Sequence, residues 1–170
     1  MSSFAIATER PGDAAAIYDL VKRAFAPMPF SDGDEQDLVN ALRDQGDLAL
    51  SLVALDDAGV VIGHIGFSRA TIDGVHVGWF QMAPVAVCPQ QQLRGIGSAM
   101  IRAGLAQIRQ QGARGAAVVG NPAYYERFGF CQCPQLMPPS QSEAPYLRAL
   151  AFEGDVPTGR LGYAPAFGEG

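Results

Sequence analysis

The stretch Met82-Ala-Pro-Val-Ala-Val87, and Gln92-Leu-Arg-Gly-Ile-Gly97 five residues on, decides how this chain is read. A strand ending at Val87 delivers the chain through a glutamine-rich turn into a helix that Gly95-Ile-Gly97 opens. The first amides of a helix have no carbonyl a turn back, and the helix dipole places partial positive charge on them. Such a start suits a pyrophosphate. Glycines at 95 and 97 remove side chains that would hold phosphate oxygens off the backbone, and Arg94 adds a cation beside the turn. Rival phosphate motifs do not fit: the third glycine of a dinucleotide fingerprint would fall at Met100, and no Gly-Lys-Ser/Thr follows. A lone Gly-x-Gly also serves packing, so the flanking chain has to decide between the two.

Working outward, Val75 to Val87 reads as the returning strand of a hairpin. Asp73-Gly74 marks its turn, because this pair tolerates the positive φ of tight primed turns. Pro84 removes a ladder donor, so the strand is expected to bulge, bend or lie at an unpaired edge there. Upstream, Leu48 to Leu55 and Val60 to Ile72 read as strands joined by the turn Asp56-Asp-Ala-Gly59. Before them come a short strand at Phe4, Ile6 and Thr8 and a helix that Asp13 caps, with Ile17, Leu20, Val21, Ala24 and Phe25 at helical spacing. Pro27 and Pro29 stop that helix. A second helix starts near Asp32, turns Leu38, Val39 and Leu42 inward, and ends at Gly46.

Downstream, a helix runs from Gly95 to Gln111 with Ile96, Met100, Leu105 and Ile108 on or near one face, and Gly112 stops it. A short strand at Ala116 to Val119, a short helix from Ala123 to Phe128 and a strand from Phe130 follow. Prolines 134, 138, 139 and 145 make the stretch between them a loop, and Leu147 to Phe152 and Leu161 to Tyr163 complete the sheet. Antiparallel hairpins followed by a β-α-β crossover give a mixed α/β sheet, distinct from a regular doubly wound one.

The 170 residues fit one domain, 1–170, with an ordinary globular composition of 48% hydrophobic and 17% charged residues. A net charge of −5 disfavours non-specific nucleic-acid binding, which needs surplus cations. The N-terminus has no basic start followed by a long apolar run, and no stretch approaches the roughly 18 apolar residues of a membrane span. Three cysteines are an odd number and too few for a disulfide framework. A cytoplasmic protein follows from these readings, with no membrane partner, as a monomer or homodimer. Cys131 and Cys133 find no second ligand pair in His64 and His76, so no metal is expected.

With Gln92-x-x-Gly95-x-Gly97 between strand and helix, and Tyr125, Gly129 and Phe130 in Gly120-Asn-Pro-Ala-Tyr-Tyr-Glu-Arg-Phe-Gly-Phe130, the chain resembles the GCN5-related N-acetyltransferases. The phrases Gly63-His-Ile-Gly-Phe-Ser68 and Met82-Ala-Pro-Val-Ala-Val87 resemble a bacterial subgroup whose members mostly have no assigned substrate. The resemblance covers residues 4–130. It implies the GNAT fold: a mixed, mostly antiparallel central sheet flanked by helices, with the fourth and fifth strands (Val75 to Val87 and Ala116 to Val119) splayed apart. It also implies acetyl-CoA as co-substrate and a primary amine of a small molecule or protein as acceptor, attacking the thioester directly. The pantetheine would then run along the backbone of Val85, Ala86 and Val87. Leu93, Arg94, Gly95, Ile96, Gly97 and Ser98, behind Gln92, would meet the pyrophosphate.

Tyr125 matches the family's general acid, beside a plainer role in packing with Tyr124, Phe128 and Phe130. Tyr124 reads as cofactor wall. Asn121 reads equally as a pantetheine ligand and as the cap of the following helix. Glu35 is the candidate general base, against the plainer role of a helix-start carboxylate; bulk water is the other route for the proton. His64, mid-strand among apolar residues, reads as a satisfied core histidine rather than a catalyst. A non-catalytic acyl-CoA sensor of the same fold is the alternative to the enzyme, and a nucleotide-binding regulator fits less well.

Overall fold

The computed structural model describes residues 3–28, 31 and 33–167. Its strands are β1 (Phe4–Thr8), β2 (Leu48–Asp56), β3 (Val61–Arg69), β4 (Thr71–Ile72), β5 (Trp79–Val87), β6 (Gly115–Val119), β7 (Leu136–Met137), β8 (Leu147–Ala151) and β9 (Gly159–Gly162), and its helices are α1 (Ala14–Phe25), α2 (Glu35–Asp44), α3 (Ile96–Gln110) and α4 (Pro122–Glu126). Six strands join in the order β1-β2-β3-β5-β6-β8, and three more in the order β4-β9-β7. This is the expected mixed sheet with helices. The chain divides into two units, Met1–Phe67 with Ala83–Gly104, and Ser68–Met82 with Leu105–Gly170.

In the first unit β1 pairs antiparallel with β2 from Phe4↔Asp56 to Thr8↔Leu52. Helical spacing places Ile17, Leu20, Val21 and Ala24 on the buried face of α1, with Val39 and Leu42 doing the same on α2. Phe25 and Leu38 are only half buried. Gly46, at φ 77°, ends α2 in the left-handed conformation that lets its own amide and that of Asp47 reach back to Arg43 and Leu42. Val61 to Ser68 are all buried, as a strand covered on both faces must be. α3 crosses β3 closely enough that a Cβ on Gly104 would stand 2.6 Å from the Phe67 ring.

Two expectations change here. Asp13 does not bond the amides of α1; its carboxylate takes the Arg10 amide at 2.8 Å and the Arg10 guanidinium at 3.0 and 3.1 Å. The guanidinium outcompetes helix amides as a partner for a carboxylate and holds the Asp13 carboxyl below the usual range. The second helix starts at Glu35, and the proposed start at Asp32 and the stop at Pro29 lie outside the described residues.

In the second unit, Asp73-Gly74 makes the predicted two-residue turn, with φ values of 52° and 83° and reciprocal Ile72–Val75 backbone bonds of 2.8 and 3.1 Å. The flanking strands are shorter than expected. Val60 to Ile72 breaks at Ala70, after which β4 peels off to pair with β9. The return begins at Trp79 rather than Val75, which forms only an isolated bridge. The strand expected from Phe130 reduces to one bridge, Cys131↔Ala149. The proline-rich stretch is not all loop, because β7 forms inside it and runs parallel to β9. Around Trp79 the unit closes an apolar cluster of Ala70, Ile72, Ala117, Leu136, Leu147, Ala149 and Leu161.

Candidate functional site

The turn that follows β5 is built by its own backbone. The Cys88 amide bonds the Ile62 carbonyl at 2.9 Å, and the Gln91 amide closes a single helical turn on the Cys88 carbonyl at 2.8 Å. Gln92 then reaches back with Nε2 to the Val87 carbonyl at 3.3 Å, tying the turn to the strand end. Leu93 (φ 68°) and Gly95 (φ 81°) both take the left-handed conformation, which glycine adopts freely and leucine does not. The Leu93 side chain is fully exposed, so it is the backbone of this turn, not its packing, that sets the geometry. Arg94 Nη1 bonds Gln91 Oε1. The first helical bond of α3 runs from the Ala99 amide to the Gly95 carbonyl at 3.0 Å. The amides of Ile96, Gly97 and Ser98 precede it, and helix geometry leaves them no carbonyl a turn back. The arrangement can hold an anion.

Upstream of the turn, Val85 and Val87 are half buried while Ala86 is 2% exposed. The parallel pairing of β5 with β6 is registered only from Trp79↔Gly115 to Gln81↔Ala117. Pro84 therefore falls after the paired segment.

Asn121, Tyr124 and Tyr125 come together in the second unit. Asn121 Oδ1 accepts the Ala123 amide at 3.1 Å and caps α4, whose first residue is Pro122. Tyr125 meets Tyr124 and Phe130 edge-on at 5.1 and 6.2 Å between ring centroids. Burial, and next the neighbouring Tyr124, push its phenol up to about 12, so it keeps its proton at neutral pH. Tyr124 also packs edge-on with Phe128 and lies under the Arg127 guanidinium.

Glu35 opens α2, and its Oε1 accepts the Ser31 hydroxyl at 2.6 Å, within that helix start. His64 is completely enclosed. Its Nε2 meets Ser51 Oγ at 2.8 Å, Ser51 donates to Glu9 Oε1 at 2.7 Å, and Arg43 grips both Glu9 oxygens at 2.6 and 2.9 Å. With Ser51 donating to Glu9, His64 is the Nε2–H tautomer, and Nδ1 has no partner among the described residues. Burial pulls His64 down to about 4, so it is neutral. It is a core histidine, satisfied at one nitrogen only.

Sequence reading missed Glu9, Arg43 and Ser51 as its partners. It also missed Ser68 and Gln81, buried polar residues whose only signal is a polar letter inside an apolar strand. Among the described residues no group of three or more His, Cys, Asp and Glu side chains is placed to hold a metal, and no helix is long and apolar enough to cross a membrane.

The profile of the acetyltransferase (GNAT) family matches residues 14–130. The chain is 39% identical over 125 residues to an uncharacterized N-acetyltransferase, YhbS, of Escherichia coli strain K12, covering 74% of this chain and 72% of that one. Its fold superposes on a GNAT family acetyltransferase from Brucella melitensis, crystallised with acetyl-CoA, with a TM-score of 0.86 and 42% identity over 97% of this chain and 98% of that one. The crystal structure of Escherichia coli YhbS with CoA gives a TM-score of 0.90 and 31% identity over 98% of this chain and 93% of that one.

Proposed function

The chain belongs to the acetyltransferase (GNAT) family, and from that membership we propose that it moves the acetyl group of acetyl-CoA to a primary amine of a small molecule or protein. The observation that carries this reading is the turn at 92–98, where left-handed Leu93 and Gly95 lead into a helix start with unused amides. The relatives crystallised with acetyl-CoA and CoA support the same cofactor. Residues 1–170 are read as one acetyltransferase domain.

In this reading the amides from Leu93 to Ser98, with Gln92 and Arg94 framing the turn, receive the pyrophosphate. The amides outweigh the net charge of −5 because a phosphate answers to local donors. Val85, Ala86 and Val87 offer strand backbone to the pantetheine, with Asn121 and Tyr124 as further contacts. No metal is called for, since neutral donors and one cation supply the complementary charge.

The amine lone pair attacks the thioester carbonyl carbon in a ternary complex, the C–S bond breaks, and the thiolate takes a proton from the Tyr125 phenol. The burial that keeps Tyr125 protonated also makes it a weaker acid, so its contribution belongs at the lower end of the general-acid range. Glu35 is assigned the proton that the acceptor's ammonium loses on becoming the attacking amine, and the proton shed by the nitrogen after attack restores the Tyr125 phenol. Calorimetric titration with acetyl-CoA after chelator treatment, followed by CoA release over a broad panel of amines, tests the proposal. Absence of binding at millimolar acetyl-CoA sinks it. Binding without turnover of any amine favours the sensor reading.

A further inference from the structure

Arg148 is a buried cation of the second unit: its side chain is 10% exposed, while that of its partner Glu126 is 50% exposed. Its Nε donates to Glu126 Oε2 at 2.9 Å, and its Nη1 donates to the carbonyls of Leu147 at 2.8 Å and Pro145 at 3.2 Å. The planar fork thus holds the chain entering β8 on one side and the last residue of α4 on the other. Taking a guanidinium out of water is costly, and an ion pair with one end in solvent adds little to stability. The use of this pair therefore lies in geometry.

α4 has five residues, too few to hold a direction by itself. The Asn121 cap and the bond from the Tyr125 amide to the Asn121 carbonyl fix where it starts. Its rotation about its own axis is fixed by what its side chains reach. Leu147 turns into the apolar cluster around Trp79, so Arg148, next along β8, projects from the other face of the sheet. Glu126 meets it there. Tyr125 immediately precedes Glu126, and successive side chains of a helix project about 100° apart. A carboxylate pinned at 126 therefore sets the direction in which the phenol at 125 points.

We infer that the Arg148–Glu126 pair positions the Tyr125 phenol for proton transfer to the departing thiolate. The inference rests on the acetyltransferase reading above, in which Tyr125 is the acid. Arg148 and Glu126 are positioning residues: each acts through Tyr125, and neither exchanges a proton. A catalytic group works when held within about 0.5 Å and 10–20° of its productive place. The edge-on contacts of the ring with Tyr124 and Phe130 are non-directional beside a charge-assisted hydrogen bond, which narrows the rotation of α4. Loss of a positioning residue costs no more than loss of the group it positions, so the effect is capped at about 10²-fold.

The test uses Glu126→Ala and Glu126→Gln in the full chain, because the half-exposed end of the pair can be removed at little cost to the fold. The best acceptor from a primary-amine panel serves as kinetic probe, beside the CoA dissociation constant. In Glu126→Ala, kcat should fall about tenfold, as misplacement of a catalytic group predicts. KM for the amine and CoA affinity should hold within about twofold, since no binding contact is touched. Glu126→Gln keeps an oxygen for the guanidinium and should recover turnover to within about threefold of the parent. In a Tyr125→Phe background Glu126→Ala should cost nothing further, because the hydroxyl being positioned is gone. A kcat unchanged in Glu126→Ala, or one that falls by the same factor with and without the Tyr125 hydroxyl, overturns the inference. If no amine is turned over, the catalytic reading fails separately. The pair is then judged by the Tyr125 ring NMR signals in protein carrying isotope-labelled tyrosine, identified by their loss in Tyr125→Phe. Signals that move in Glu126→Ala and hold in Glu126→Gln support the inference. Signals that stay put in both variants, or move alike in both, overturn it.

Discussion

Gly120 lies against the ring of Tyr125: a Cβ at position 120 would stand 2.6 Å from Tyr125 Cε2. The ring is held from its other sides by Tyr124 and Phe130, and the Tyr125 amide is tied to the Asn121 carbonyl at 3.2 Å. Gly120→Ala must therefore displace the ring or the β6–α4 connection. Overpacking of this kind costs about 1–3 kcal/mol. In a Tyr125→Ala background the same change should cost almost nothing, since the clashing ring is gone. Urea unfolding of the four proteins of this cycle measures the coupling, and additive costs would show that position 120 is constrained by something other than Tyr125.

Tyr125→Phe separates chemistry from packing, because it removes one hydroxyl and keeps the ring against Tyr124 and Phe130. If the phenol protonates the departing thiolate, kcat with a saturating amine falls by about 10²-fold, the lower end for loss of a general acid, while CoA affinity is little changed. Turnover within about threefold of the parent, with damage appearing only in Tyr125→Ala, assigns the residue to packing.

Gly95→Val and Gly97→Val test the phosphate turn. Gly95 has φ 81° and nothing within 4 Å of the place its Cβ would take. Valine there meets backbone strain of about 1–2 kcal/mol and projects into the open space before the amides. Gly46→Val is the control, with a φ of 77° and equally open surroundings at the far end of α2. Calorimetry should find cofactor binding abolished in both turn variants and retained in the control. Normal CoA binding by both turn variants would place the pyrophosphate elsewhere.

Much of this was legible in local signals. Asp73-Gly74, Gly46 and Gly112 announced a turn and two helix ends because the left-handed backbone at each demands few residue types. The periodicity of α1 and α3 named their buried faces. The break at Ala70 was not legible, since the mostly apolar run from Val60 to Ile72 says nothing of which neighbour each half will pair with, and β4 leaves for a β9 that lies far along the chain. The histidine relay was hidden for the same reason: Glu9 is 34 residues from Arg43 and 42 from Ser51. Its members meet because β1, β2 and β3 are neighbours in the sheet and Arg43 on α2 reaches the Glu9 that follows β1.

That relay makes stability depend on pH with a definite sign. His64, completely enclosed, has a pKa of about 4 in the folded chain against an ordinary 6.5. Between these values the unfolded chain binds a proton that the folded chain does not, so stability rises with pH across the window and is lost on acidification. Each pH unit of separation is worth about 1.4 kcal/mol, so acidification from 6.5 to 5 should remove about 2 kcal/mol. Burial acts to raise Glu9, but the Arg43 and Ser51 hydrogen bonds outweigh it and hold the carboxyl below its ordinary 4.5. Glu9 thus stays ionised down to pH 5, and its own loss of stabilisation begins only at lower pH. His64→Gln removes the titrating group while keeping a donor for Ser51 Oγ. The variant should be less stable than the parent at neutral pH, because a flexible amide replaces a packed ring, yet its denaturant midpoint should change little between pH 6.5 and 5. Urea unfolding of both proteins at these two pH values is the measurement, and equal acid sensitivity in parent and variant would assign the slope to other groups.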